Sequence, residues 1–177
     1  VVTADLDLSV SGYVLSSDGS RIVFLAEEGD QSSLWTVGVN GGRPAKMALQ
    51  GSGVLTGLAS GGDVLVALSE SATQPGELVR LDSVEGARRQ LTEFNRAPLA
   101  ELDLRPVERF EFLSAKGRRI QSLMVKPAGF DPARKYPLFV VIHGGPAPQS
   151  KDAWSLRWNY QLLAAPGYVL LMTNYTG

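Results

Sequence analysis

The chain has 177 residues, of which 44% are hydrophobic and 20% charged, and its formal net charge at pH 7 is −1. This composition is typical of a folded globular protein, and the charge provides no basic field of the kind that binds nucleic acid or anionic membranes. With no cysteine and one histidine, the sequence excludes disulfides, cysteine nucleophiles and multi-histidine metal sites.

Two groups of four short strands are predicted in the first half of the chain. Alternating and β-branched runs indicate strands, and pairs such as Asp18-Gly19 and Asn40-Gly41 suit the tight turns of hairpins. The first group comprises residues 13–15, 21–26, 34–39 and 44–49, and the second comprises 54–59, 64–68, 78–81 and 88–91. The groups repeat at an offset of roughly 43 or 44 residues, the period of a four-stranded propeller blade. We therefore expect two blades of a β-propeller, which are too few to close a ring.

An acidic stretch lies at the first long hairpin. Glu27, Glu28 and Asp30 could hold a cation or the amino terminus of a peptide, but a charged and solvated hairpin loop accounts for them better.

The blade pattern ends after Thr92, and an irregular segment with Pro98 and Pro106 follows. We place a domain boundary there, with residues 1–104 as the C-terminal blades of a propeller and 105–177 as the start of a second domain. The second domain opens with a hairpin of residues 107–113 and 120–125 around a Lys116-Gly117 turn.

A buried strand, a helix and another buried strand are predicted next. Residues 136–142 form an apolar run without alternation, which is typical of a strand covered on both faces and is far shorter than the roughly 20 residues that span a bilayer. Trp154, Trp158 and Leu162 have the spacing of a helical stripe, and residues 168–173 form a second apolar strand. A strand, a helix and a strand in this order predict a right-handed crossover and parallel pairing.

His143-Gly144-Gly145-Pro146 directly follows the first buried strand. In α/β-hydrolases the loop after the third strand supplies one backbone N–H of the oxyanion hole, and glycines let the backbone approach the substrate carbonyl. The position favours an oxyanion loop over a plain turn.

The second domain also resembles a known family. The runs Tyr136-Pro137-Leu138, His143-Gly144-Gly145-Pro146, Pro166-Gly167-Tyr168 and Asn174-Tyr175-Thr176-Gly177 are similar to the entry of the catalytic domain in prolyl oligopeptidase family serine peptidases, nearest the branch of dipeptidyl peptidase V and the acylaminoacyl peptidases. The resemblance implies β-propeller blades followed by the N-terminal part of an α/β-hydrolase domain. It also implies that the Gly145 N–H is the oxyanion donor, with His143, Gly144 and Pro146 completing the loop.

The serine nucleophile is not in this sequence. No GxSxG motif occurs, and a histidine that precedes the nucleophile cannot be the triad base, because the chain order in these enzymes is serine, acid, histidine. We therefore expect His143 to be structural and the segment alone to hydrolyse nothing. The absence of an initiator Met and the end at Gly177 directly after a strand-like run predict an internal piece of a longer chain.

The resemblance implies an enzyme that hydrolyses short peptides through a serine acyl-enzyme and needs no metal or organic cofactor. Its expected partners are short peptides and the rest of the same polypeptide, and an oligomer is compatible with the sequence. The resemblance favours a periplasmic or secreted location and leaves the cytoplasm open. A carboxylesterase of the same fold and a non-catalytic propeller scaffold are the alternatives. Trp154 and Trp158 either border the substrate pocket or form the core stripe of a helix.

Overall fold

The computed structural model describes residues 1–82, 86–145 and 148–175, and all structural statements below concern these residues. Pro146 of the expected oxyanion loop lies outside them, as do Thr176 and Gly177 of the family-like C-terminal run. The chain is built mainly from short strands arranged in three four-stranded sheets.

The first two sheets are antiparallel meanders whose strands follow one another in chain order. The first contains β1 (Val10–Leu15), β2 (Arg21–Glu28), β3 (Gln31–Gly38) and β4 (Ala45–Lys46). The second contains β5 (Val54–Gly61), β6 (Val64–Ser71), β7 (Gln74–Leu81) and β8 (Arg88–Gln90). Corresponding strands begin 43 or 44 residues apart, which confirms the predicted repeat.

The fourth strand of the first meander is shorter than predicted. β4 ends at Lys46, and the chain then turns towards the second meander, where the Gln50 N–H donates to the Gly86 carbonyl at 2.7 Å. A Cβ at Gly86 would lie 2.5 Å from the Ala48 carbonyl carbon, and Gly86 has a φ of +70°. The backbone therefore leaves the ladder to make a close contact that only glycine permits.

A shared apolar core joins the two meanders. Side chains from β2 and β3 of the first sheet pack against side chains from β5, β6 and β7 of the second. The fully or nearly buried members are Val23, Leu25, Leu34, Leu55, Leu65, Ala67, Val79 and Leu81. Each sheet thus buries one face against the other, which is the arrangement that a repeat of amphipathic sheets requires.

The third sheet is mixed. It contains β9 (Glu108–Leu113), β10 (Arg119–Val125), β11 (Leu138–Val141) and β12 (Val169–Thr173) in the order β11-β12-β10-β9. β11 and β12 are parallel, as predicted, while β10 is antiparallel to both of its neighbours. The prediction that the first of these strands is covered on both faces is wrong for the described residues, because β11 lies at the edge of the sheet and Leu138, Phe139 and Val140 are exposed. The short helix α1 (Arg96–Leu99) precedes this sheet, and α2 (Tyr160–Ala164) lies between β11 and β12.

The predicted helical stripe of Trp154, Trp158 and Leu162 is wrong. α2 begins at Tyr160, because the Asn159 side-chain oxygen accepts from the backbone N–H groups of Gln161 and Leu162 at 3.0 and 3.1 Å and caps the helix there. Both tryptophans therefore lie in the loop before the helix.

A polar cluster with two buried carboxylates connects the first meander to the third sheet. We call its members Asp30, Arg109, Gln121 and Asp152 the joint cluster. Arg109 Nε lies 2.7 Å from Asp30 Oδ2, and Arg109 Nη2 lies 2.8 Å from Asp152 Oδ2. Gln121 Nε2 donates to Asp30 Oδ1 at 3.0 Å, and the Asp152 N–H donates to the Asp30 carbonyl at 3.0 Å. Burial opposes the charge of Arg109, but the two carboxylates outweigh it and raise the pKa of the guanidinium.

The prediction of a solvated acidic loop is therefore wrong for Asp30, which is only 3% exposed. The other two acidic residues are also paired: Glu27 contacts Lys151, and Glu28 contacts Lys46 at 2.6 Å. The acidic hairpin is a docking element for the third sheet rather than a free charged loop.

The second meander contacts the third sheet through a hairpin tip. Ala72, between β6 and β7, is buried in the core that Leu123, Val125, Leu170 and Met172 form under the third sheet. Its N–H donates to Asp152 Oδ1 at 2.8 Å, and its carbonyl accepts from Gln161 Nε2 at 3.1 Å. Both meanders are thus fixed to the third sheet by the tips of their central hairpins.

Candidate functional site: the loop after β11

The parallel pairing of β11 and β12 decides what surrounds the candidate oxyanion loop. Val141, the last residue of β11, is paired with Met172 of β12. Because parallel strands end at the same edge of a sheet, the loop after β11 emerges beside the residues that follow β12. His143, Gly144 and Gly145 therefore lie next to Asn174 and Tyr175.

His143 contacts its own loop. Its Nδ1 is 2.9 Å from the Gly144 carbonyl oxygen, and since a carbonyl can only accept, Nδ1 carries the proton in this hydrogen bond. The peptide bond that begins at this carbonyl ends at the Gly145 N–H, and in a planar trans peptide the two groups point in opposite directions. The imidazole thus fixes the direction of the N–H that is expected to act as the oxyanion donor.

Tyr175 packs on the same loop. Its ring stacks on the His143 imidazole with a centroid distance of 4.4 Å and an interplanar angle of 18°, and its hydroxyl donates to the His143 carbonyl at 3.0 Å. A Cβ at Gly145 would lie 2.6 Å from the Tyr175 hydroxyl oxygen. The tyrosine fills the space that any side chain at position 145 would need.

The far end of the loop is also fixed. The Ser150 N–H donates to Asn174 Oδ1 at 2.8 Å, and both residues are buried. The Tyr160 hydroxyl donates to the Lys151 carbonyl at 3.1 Å. Burial, assisted by the carboxylates of Asp152 and Asp30, raises the pKa of this phenol, which therefore remains a donor at neutral pH.

The two tryptophans lie in different places. Trp158, which is 54% exposed, lines an open cleft of about 500 Å³ together with His143, Gly144, Ser155 and other residues. Trp154 lines a separate groove of about 320 Å³ between residues 102–104 and α2. Among the clefts formed by the described residues, Trp158 shares one with the loop and Trp154 lines another.

Sequence reasoning identified the loop but not the side chains that hold it. Asn174 and Tyr175 entered only as part of a family-like run, with no role attached. The available signal was their position directly after the second buried strand, because such residues share an edge with the loop after β11. Within the described ranges, no group of three His, Asp or Glu side chains is arranged to hold a metal ion, and no helix has the length and apolar character to cross a bilayer.

Comparison with known proteins agrees with the sequence resemblance. The chain is 28% identical over 176 residues to dipeptidyl-peptidase 5 of Porphyromonas gingivalis, covering 99% of this chain and 26% of the relative. It is 33% identical over 117 residues to dipeptidyl-peptidase 5 of Porphyromonas endodontalis, covering 66% of this chain and 17% of the relative. No protein-family model matches the chain.

Solved structures share the fold along nearly the whole chain. The acylaminoacyl peptidase of Pyrococcus horikoshii superposes with a TM-score of 0.78 at 25% identity, covering 98% of this chain and 26% of that structure. Dipeptidyl peptidase 4 of Porphyromonas gingivalis superposes with a TM-score of 0.68 at 24% identity, covering 95% of this chain and 24% of that structure.

The chain spans about a quarter of the length of the relatives that it matches from end to end. The matches extend over the two meanders and the third sheet, and these relatives are named as dipeptidyl-peptidases and an acylaminoacyl peptidase. Over nearly its whole length the chain is therefore similar to dipeptidyl and acylaminoacyl peptidases, which agrees with the resemblance to the prolyl oligopeptidase family of serine peptidases.

Proposed function

We propose that this chain is part of a serine peptidase that removes dipeptides or acylated amino acids from short peptides through a serine acyl-enzyme. The observation that carries the proposal is the His143-Gly144-Gly145 loop, which directly follows a strand parallel to β12. Relatives that match almost the whole chain are named as dipeptidyl and acylaminoacyl peptidases, which supports a peptidase over the esterase and scaffold alternatives.

The proposed domain division follows the predicted boundary. Residues 1–104 would form two blades of a propeller, supported by the 43- or 44-residue repeat of the strands. Residues 105–177 would begin an α/β-hydrolase domain, supported by the parallel β11 and β12 pair and the helix between them. Ala72 packs in the core under the third sheet, so the tip of the β6–β7 hairpin would cross the proposed boundary.

The proposed role of the loop is to stabilise the tetrahedral intermediate. The Gly145 N–H would donate to the oxyanion as the serine adds to the scissile carbonyl, and a second donor would come from outside this chain. His143 and Gly144 would set the direction of that N–H, and Trp158 would border the cleft in which the substrate lies. Collapse of the intermediate would release the amine and leave the acyl-enzyme, which water then hydrolyses.

The test uses the full-length protein with a fluorophosphonate that labels only an activated serine. We expect stoichiometric labelling, and hydrolysis of aminoacyl-dipeptide or acylaminoacyl amides with a kcat/KM above that for simple esters. A labelled protein that cleaves only esters would establish the carboxylesterase alternative. A protein with neither label nor hydrolysis would establish the non-catalytic scaffold.

A further inference from the structure

Two consecutive side chains after β12 hold the loop after β11 at both of its ends. Asn174 accepts from the Ser150 N–H at the far end, and Tyr175 donates to the His143 carbonyl at the near end. The Asn174 N–H donates to the Gln121 carbonyl of β10 at 3.1 Å, so the pair itself is tied to the sheet. The loop therefore takes its position from β12 and β10 as well as from β11.

The contacts of Tyr175 form a path to the Gly145 N–H. The hydroxyl fixes the His143 carbonyl, the ring fixes the plane of the imidazole, and the imidazole fixes the Gly144 carbonyl. Because that carbonyl and the Gly145 N–H belong to one planar peptide, their directions are linked. The steps before this peptide are two hydrogen bonds and one ring contact between described residues.

We propose that Tyr175 is a positioning residue for the oxyanion donor, acting through His143, with Asn174 fixing the opposite end of the loop. The proposal rests on the oxyanion role of Gly145 in the proposed function. Preorganised donors are effective because they need no reorientation as charge develops on the substrate oxygen. Tyr175 would therefore contribute to binding of the transition state and little to binding of the ground-state peptide.

The test compares Tyr175→Phe with the wild-type full-length enzyme, since this change removes the hydroxyl and keeps the stacked ring. Removing an oxyanion donor outright costs on the order of 10²–10³ in kcat, so we expect the loss of a supporting bond to lower kcat by about tenfold, with KM nearly unchanged. Tyr136→Phe is the matched control, because the Tyr136 hydroxyl contacts the Asp131 N–H, away from the loop. This control should retain wild-type kinetics.

A second measurement separates positioning from a loss of folded enzyme. A peptide aldehyde adds the serine hydroxyl to its carbonyl and places the hemiacetal oxygen in the oxyanion hole, whereas the corresponding peptidyl alcohol has no carbonyl and cannot add the serine. Tyr175→Phe should weaken the inhibition constant of the aldehyde by about the same factor as kcat and leave that of the alcohol unchanged. An affinity does not depend on the fraction of enzyme that is folded.

The outcomes separate the two proposals. An active wild type whose Tyr175→Phe variant keeps its kcat and aldehyde affinity would overturn the positioning role and leave the peptidase assignment intact. Equal weakening of the aldehyde and the alcohol would also overturn it, because that pattern indicates a general change in the site. A wild type that neither hydrolyses peptides nor accepts the fluorophosphonate would overturn both proposals.

Discussion

At the scale of single residues, position 145 is restricted by its neighbour rather than by its backbone conformation. Gly145 has no positive φ, yet a Cβ there would lie 2.6 Å from the Tyr175 hydroxyl oxygen. That oxygen is at the end of a side chain that can rotate, so an added methyl group would displace the tyrosine rather than the backbone. A substitution at position 145 should therefore lower kcat clearly while changing the melting temperature little.

Gly145→Ala in the full-length enzyme tests this restriction. We expect kcat to fall by about tenfold or more, since the displaced hydroxyl can no longer hold the His143 carbonyl, while the melting temperature changes little. Gly61→Ala is the control, because Gly61 has no positive φ and a Cβ there meets nothing within 4 Å. If Gly145→Ala lowers the melting temperature and leaves kcat of the folded enzyme intact, the glycine serves folding and not the loop.

At the scale of the elements, one carboxylate ties β7 to the segment that follows the second meander. Glu77 is 2% exposed and accepts from the Thr92 hydroxyl at 2.5 Å and from the Asn95 N–H and Nδ2 at 2.8 Å. The Thr92 hydrogen bond and those from Asn95 outweigh burial and lower the pKa of Glu77 below its ordinary value of 4.5. Glu77 thus fixes the first residues that follow the second meander.

This carboxylate predicts a pH-dependent contribution to stability. A lowered pKa in the folded state means that the stabilisation is present above the unfolded pKa of about 4.5 and is lost as the pH falls through the folded value. Glu77→Gln should therefore lower the urea midpoint of the full-length protein at pH 7 and make a smaller difference at pH 4 and below. The control is Glu111→Gln, an acid in an exposed pair with Arg119. A constant difference between wild type and Glu77→Gln at all pH values would contradict the assignment.

The elements also differ in how well the sequence predicts them. The strands of both meanders and the parallel pair were predicted because glycine turns and apolar runs are local signals. The start of α2 was not, because the spacing of Trp154, Trp158 and Leu162 imitates a helix while the Asn159 side chain sets the real first turn at Tyr160. The loop after β11 was predicted from its glycines, but its contact with Tyr175 depends on strand order, which no local pattern contains.

At the scale of the whole molecule, the joint cluster connects residues that are far apart in the chain. Arg109 bonds to Asp30 across 79 positions and to Asp152 across 43 positions. Sequence analysis treated Asp30 as a solvated charge, because only the assembled fold reveals its partner. The carboxylates of Asp30 and Asp152, which are 3% and 5% exposed, are both paired with the Arg109 guanidinium. Removing this partner would leave two buried charges unpaired, which lowers the free energy of unfolding.

Arg109→Ala in the full-length protein should lower the free energy of unfolding by about 3 kcal/mol, the lower end of the range for a broken buried pair, since the arginine side chain is 35% exposed. Arg119→Ala is the matched control, because its ion pair with Glu111 is exposed and worth less than about 1 kcal/mol. Amide hydrogen exchange should also accelerate at the hairpin tips around Asp30 and Ala72 in the Arg109 variant alone. Equal behaviour of the two variants would show that the cluster does not hold the meanders to the third sheet.

The buried position of Ala72 limits how such a protein can be recombined. A chimaera that joins the two meanders of one relative to the third sheet of another near residue 104 would place a foreign hairpin tip in the core of the recipient. A larger side chain at the tip would overpack that core, and a changed tip geometry would leave the Asp152 carboxylate without the Ala72 N–H. Exchange of the meanders between relatives should therefore require residues 71–73 to be inherited with the third sheet, although in the sequence they belong to the second meander.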